Sequence, residues 1–283
     1  MGLLFALNSA LFATIKDTIS KRLASKVSGT VSTIASFLYA LPFYLLALGV
    51  ATYYNYETWV VTEAFLALVV LRALTDCAAE WLKMSSLAHG ELSLIAAFYS
   101  LSPIFLLITS PIITGDPLTL NDVIGVAMVT LGSLVFMYTR GRSGSINYKG
   151  IVLALGSSIF FSLNSCFDRL AVLQSGPLIS GFAMTLLSGI ILIPFCKEPL
   201  LPNFKRENKL FFSRGLMETI FMVSKLIAIG YIPAPQVVAI MRLSVLLSVI
   251  SGKVVFNEQN FLQRLLGSLL IIAGVSLIAY GLF

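Results

Sequence analysis

Apolar residues run along this chain in blocks of about 20, each closed by a short polar break, and about 20 residues is what a helix needs to cross a hydrocarbon core of about 30 Å. The blocks predict ten helices, over residues 2–22, 30–50, 65–86, 92–110, 120–139, 150–170, 178–196, 210–230, 234–252 and 264–283. Lys16 and Asp17 interrupt the first block without ending it. The pattern therefore predicts an all-α integral membrane protein and leaves no soluble domain. The opening stretch MGLLFALNSALFATI has no basic region before its apolar run and no small-residue cleavage pattern after it, so it is expected to stay as the first span.

The blocks repeat. Setting LRALTDCAAEWLKMSSLA over SRGLMETIFMVSKLIAIG aligns Arg72 with Arg214, Asp76 with Glu218 and Lys83 with Lys225, each 142 positions apart. The same offset holds to the end, pairing Ser102 with Ser244, Asp116 with Glu258, Gly125 with Gly267, Gly132 with Gly274 and Tyr138 with Tyr280. Nearer the start, LNSALF over LGSSIF gives an offset of 148. Residues 1–142 and 143–283 thus read as two five-helix units. Five is odd, so the second unit enters the membrane from the side opposite to the first, an inverted-topology repeat of the kind many secondary transporters use to alternate access around a midplane site.

Composition agrees: 58% of residues are hydrophobic and 11% charged, against about 25% charged in an ordinary soluble domain, and mean hydropathy is +0.93. The net charge of +6 does not point to nucleic acid, because the basic residues are sorted by loop. Connections 1–2, 5–6, 7–8 and 9–10 hold Lys16, Lys21, Arg22, Lys26, Arg140, Arg142, Lys149, Lys197, Lys205, Arg206, Lys209, Lys253 and Arg264, while the alternate connections hold only Arg169. Basic loops stay cytoplasmic during insertion, so both termini are expected on the non-cytoplasmic side. Tyr53, Tyr54, Tyr56 and Trp59 fit an interfacial aromatic belt on that side. Cys77, Cys166 and Cys196 are spaced too widely for a metal knuckle, and His89 is the one histidine, so no metal, haem or other cofactor is expected. Nor is catalysis: no nucleophile has a histidine base in reach, and there is no phosphate loop.

Each half also carries a polar residue in its fourth helix, a short acidic turn and a glycine-spaced closing helix, LSPIFLLITSPIITGDPLTLNDVIGVAMVTLG and LSVLLSVISGKVVFNEQNFLQRLLGSLLIIAG. Over its whole length the chain resembles the EamA branch of the drug/metabolite transporter superfamily. Asp116 stands where that family more often has glutamate, and Glu258 matches. The resemblance implies ten helices and secondary transport of a small polar metabolite, which the charged stripes described below lead us to expect is charged or zwitterionic and amino-acid-like. The expected direction is export across the plasma (inner) membrane. It further implies a central cavity lined by helices 1, 3 and 4 and their repeats 6, 8 and 9. Family members often have cytoplasmic termini, and the loop charges here point the other way. With no ATPase module, pumping would draw on protons or a counter-substrate. The alternative is an antiporter of phosphorylated metabolites or nucleotide-sugars.

Candidate chemistry sits in two stripes. Arg72, Asp76, Glu80 and Lys83 fall at roughly 0°, 40°, 80° and 20° around the third helix, and Arg214, Glu218 and Lys225 at roughly 0°, 40° and 20° around the eighth. A charge in lipid costs about 2.5–3.5 kcal/mol unless it faces protein or water. One expectation is purely structural: Arg72 pairs with Asp76 and Arg214 with Glu218 one turn away, while Lys83 and Lys225 snorkel to the interface. The other is that the stripes bind substrate or protons. Arg242, near the middle of the ninth helix opposite Ser100 in the repeat, cannot deprotonate and is expected to meet Glu218 or an anionic substrate group. Asp168 and Asn164 on the sixth helix, with Lys16, Asp17 and Ser20 on the first, are expected at gates or helix interfaces. Gly125, Gly132, Gly267 and Gly274 are expected to let helices 5 and 10 pack closely, and Pro42, Pro103, Pro194, Pro233 and Pro235 to permit kinks.

Overall fold

Apolar blocks become helices because a membrane offers the backbone no other hydrogen-bond partner. In the computed structural model, residues 1–23, 26–57, 59–87, 98, 101–138, 148–244, 247 and 261–281 are described. The helices are α1 (Gly2–Leu23), α2 (Gly29–Tyr53), α3 (Glu63–Leu87), α4 (Ser102–Ile113), α5 (Leu120–Tyr138), α6 (Tyr148–Ser175), α7 (Pro177–Leu192), α8 (Leu200–Arg206), α9 (Asn208–Tyr231), α10 (Ala234–Met241) and α11 (Phe261–Tyr280). Eight of the expected spans coincide with α1, α2, α3, α5, α6, α7, α9 and α11 to within a few residues. The expected spans 92–110 and 234–252 are described in part, as α4 and α10. Among the described residues, four helical stretches are long and apolar enough to cross a membrane: Gly2–Ser20, Gly29–Tyr53, Tyr148–Ser175 and Pro177–Phe195. The charged stripes keep α3 and α9 out of that set. Among the described residues there is no strand.

Two of the prolines expected to permit kinks sit instead at helix starts. Pro42 lies inside α2, but Pro103 and Pro235 sit in the first turns of α4 and α10, with Pro233 just before α10. A first-turn N–H has no helical partner, so proline loses nothing there and starts the helix instead.

The chain divides into two compact units interleaved in sequence. The first comprises residues 1–77 and 167–231. Its contacts fix the directions of its helices. Asn8 and Ser20 of α1 meet Ser224 and Arg214 of α9, so these two run antiparallel. Ser32 and Ala40 of α2 meet Arg214 and Thr219, so α2 runs with α9. Gly181 and Gly189 of α7 approach Tyr44 and Phe37, so α7 runs against α2. Asp168 and Val172 of α6 meet Lys225 and Gly230, so α6 runs with α9, and Arg72 of α3 meets Asp168 while Ser175 bonds the Val60 carbonyl, so α3 runs against α6. Hence α6, α7 and α9 each run opposite to their sequence counterparts α1, α2 and α3. Buried apolar layers fill between them: Leu23, Val31 and Ala35 with Phe211, Ala40 and Tyr44 with Leu226, and Phe65 and Val69 with Met184.

Charges finish the two ends of this unit. At one, Lys26 Nζ lies 2.8 Å from Glu207 Oε2 and Arg206 donates to the Lys26 carbonyl at 2.6 Å, tying the α1–α2 connection to the one before α9. At the other, the Glu57 carboxylate accepts from the backbone N–H groups of Leu178 at 3.1 Å and Ile179 at 3.0 Å, capping α7 where four donors lack helical partners. Gly176 makes room for this cap with φ +90°, and a Cβ there would lie 2.6 Å from Glu57 Oε1. Tyr53, Tyr54 and Tyr56 are exposed at the same end.

The second unit comprises residues 78–166 and 232–283. There α5 packs along α11 on the four glycines: a Cβ on Gly132 would lie 2.7 Å from the Gly267 carbonyl oxygen, and one on Gly274 would lie 2.6 Å from that of Gly125. The close approach expected from the seven-residue spacing is present, because only glycine lets one helix lie on another's carbonyls. Thr119 and Asp122 begin α5 as a reciprocal cap, Asp122 Oδ2 accepting from Thr119 N at 2.8 Å. Gln236 of α10 donates to the other oxygen of Asp122 at 2.7 Å.

Candidate functional site

Four charges meet in the first unit, on three helices. Arg72 Nη1 lies 2.6 Å from Asp76 Oδ2 one turn along α3, and its Nε lies 3.0 Å from Asp168 Oδ1 on α6. The second oxygen of Asp168 lies 2.7 Å from Lys225 Nζ on α9. The Asp168 side chain is fully buried and the other three are about nine-tenths buried. Two cations and two carboxylates leave this network neutral, which is how buried charge is tolerated: each desolvated ion needs a partner of opposite sign, and removing one member costs about 3–5 kcal/mol.

The network confirms one sequence expectation and corrects another. Arg72 does pair with Asp76. Lys225 does not snorkel; it turns inward because Asp168 is there to meet it. The signal for Asp168 was present, since a carboxylate in the apolar run of α6 demands a partner, but the periodicity of one helix cannot name a partner 57 or 96 positions away.

The second stripe is arranged differently. Arg214 donates from Nε to Ser20 Oγ at 2.8 Å and from Nη1 to the Ser32 carbonyl at 2.7 Å. Glu218 was expected to pair with Arg214; instead Lys16 of α1 reaches it at 3.3 Å, with the same ammonium 3.8 Å from the Phe221 ring centroid. Lys16 and Ser20 thus hold the stripe, in a cation–π and hydrogen-bonding setting.

The two arrangements correspond position by position. At the offsets of 148 and 142, Ser20 and Arg214 map onto Asp168 and Arg72, and both arginines reach across by Nε. Likewise Ser9 Oγ donates to the Phe221 carbonyl at 3.1 Å, and Ser157 Oγ to that of Ala79 at 2.9 Å. The chemistry differs where Asp168 in one half corresponds to Ser20 in the other, and where Asn164 corresponds to Lys16.

The remaining candidates lie in the second unit. Glu80 pairs with Lys83 at 2.8 Å, one turn away, so Lys83 too has a protein partner where snorkelling was expected. Arg242 Nη2 donates to Ser102 Oγ at 2.8 Å. Asn164 is buried. His89, Ser100, Arg140, Arg142, Lys253 and Glu258 lie outside the described residues. Among the described residues neither a cluster of three metal-binding side chains nor a disulfide bond occurs.

A solved crystal structure matches with a TM-score of 0.80 at 15% identity, covering 99% of this chain and 96% of that one, which is a likeness of fold. No curated protein matches. The EamA-like transporter family matches residues 1–138 and again residues 148–280, nearly the whole chain in two consecutive copies. The chain therefore belongs to the EamA-like transporter family, membrane transporters of the drug/metabolite superfamily.

Proposed function

We propose that this protein is a secondary transporter of a small charged or zwitterionic metabolite, working by alternating access between its two sequence repeats. The observation that carries the reading is the Arg72–Asp168–Lys225 bridge with Asp76, which joins α3 of the first repeat to α6 and α9 of the second. Intramembrane charge is expensive, and where it is kept it tends to serve a polar solute's path. The opposed directions of α1, α2, α3 and α6, α7, α9 support an inverted repeat, the architecture such transport uses. Within this site Asp76 and Glu218 are the groups proposed to take up a proton or a cationic substrate group, each already beside a cation that a substrate would have to share or displace. In the second unit, Glu80, Asn164 and Arg242 are proposed to contact the solute.

The test is uptake into proteoliposomes of a panel of amino acids, across a pH range, by wild type and by Asp76→Asn and Glu218→Gln. The expected result is flux for at least one zwitterion, with its pH dependence lost in at least one variant. Flux that is absent for every charged and zwitterionic solute, in a folded protein, would overturn the reading.

A further inference from the structure

We infer that Arg214 is the oxyanion-holding group of the site, and that Arg72, its counterpart, is not. The inference rests on the transport reading and deepens it by assigning a carboxylate or similar small oxyanion to one particular guanidinium.

The argument is a comparison of two arginines in equivalent places. A guanidinium carries five N–H donors in a planar fork and is always charged. Arg72 faces two carboxylates, Asp76 at 2.6 Å and Asp168 at 3.0 Å. Its charge is answered. Arg214 faces a serine hydroxyl and a backbone carbonyl, both neutral. The carboxylate on its own helix, Glu218, pairs with Lys16. Lys16, Arg214 and Glu218 together therefore carry one uncompensated positive charge, where the Arg72 network carries none. The two bonds to Ser20 and Ser32 hold the guanidinium from α1 and α2 by Nε and Nη1 and leave the Nη2 donors for another acceptor. That is the geometry of a positioned anion receptor: the side chain is fixed by neutral groups, its charge unspent, with an ammonium one turn further along. A solute oxyanion would supply the missing negative charge, as Asp168 does for Arg72, and would leave when the helices move, as a tethered aspartate cannot.

The experiment needs no identified substrate. The full-length protein in phosphate-free maltoside micelles is treated with phenylglyoxal, which derivatises available guanidinium groups, and adducts are mapped by mass spectrometry with acetate or with chloride at equal ionic strength. Arg214 is expected to react at least about tenfold faster than Arg72, and acetate is expected to slow it at least about threefold relative to chloride, because charge-assisted bidentate pairing needs a carboxylate. Ser20→Asp, which gives Arg214 the partner Arg72 has, is expected to slow labelling and abolish the acetate effect. Equal reactivity of the two arginines would overturn the inference. So would equal effects of acetate and chloride, or undiminished acetate protection in Ser20→Asp. Protection by phosphatidylcholine vesicles alone would also overturn it, since the anion would then be lipid. None of these readouts depends on flux, so failure of the transport reading and failure of this one are separable.

Discussion

Asp168 on α6 accepts from the Nε of Arg72 on α3 at 3.0 Å while its other oxygen meets Lys225 on α9 at 2.7 Å, so one fully buried carboxylate closes three helices on one another. Its removal should leave Lys225 without its counter-ion and Arg72 with Asp76 alone. Asp168→Asn is expected to destabilise the folded protein by about 3–5 kcal/mol. Adding Lys225→Met should recover part of that, a coupling of at least about 1 kcal/mol in thermal unfolding of the purified protein. Strict additivity of the two changes would show that the pair does not act as one.

The two lysines of the stripes separate in the same measurement. Lys225 is buried against Asp168, whereas Lys83 meets Glu80 on its own helix with both side chains about a quarter exposed. Lys225→Ala is expected to cost several-fold more stability than Lys83→Ala, the latter within about 0.5 kcal/mol. Equal losses would restore the snorkelling picture.

The glycine seam gives a test with an internal control. Gly132→Ala drives a methyl against the Gly267 carbonyl at 2.7 Å and against backbone that cannot yield, so a loss of about 1–3 kcal/mol is expected. Gly49, in α2, has nothing within 4 Å of a built Cβ. Gly49→Ala should therefore be neutral or stabilising by about 0.5–1 kcal/mol, as alanine is in a helix. Comparable losses at both positions would mean helix propensity, not contact, governs them.

Glu57 makes a prediction about pH. Burial pushes its carboxyl above the ordinary value of 4.5, opposed by the Ile179 and Leu178 N–H groups. A raised acid in the folded state binds its proton more readily there, so the stability it contributes is present below the ordinary value and falls as pH rises through the raised one. Wild type should accordingly gain on Glu57→Gln when the pH is lowered through this window, read as the difference between their melting temperatures. A gap that widens with rising pH would show the amides outweigh burial.

Orientation is tested by a reporter fused after Phe283. The loop-charge bias predicts a non-cytoplasmic readout, and the first unit adds that Lys26 and Arg206, from two basic connections, do share one end. A cytoplasmic readout from inserted protein would defeat the charge argument.

Much of this architecture was legible because a membrane makes helix length and helix polarity nearly sufficient descriptors. The boundaries of eight of the expected spans followed from apolar block length, and the α5–α11 contact followed from four glycines at a spacing of seven. The Arg72–Asp76 pair was legible for the same reason: both residues lie on one helix. Partners on other helices were not. Sequence spacing sets Glu218 with Arg214, because it ranks a neighbour one turn away above Lys16, 202 positions off, for which it offers a gate or a helix interface but no partner. The short helix α8 escaped because LLPNFKR is too brief for periodicity to show. What would have helped was the repeat alignment itself, which sets Ser20 opposite Asp168 and so marks where the halves stopped being alike.

The glycine seam between α5 and α11 has a consequence for symmetry. Exchanging the two repeats turns the contact of Gly125 with Gly274 into that of Gly267 with Gly132, so the seam is its own mirror under the exchange. A surface that recognises a second copy of itself in this way is what an isologous homodimer uses. One half-length sequence, paired with a second copy of itself, would thus supply both sides of the joint.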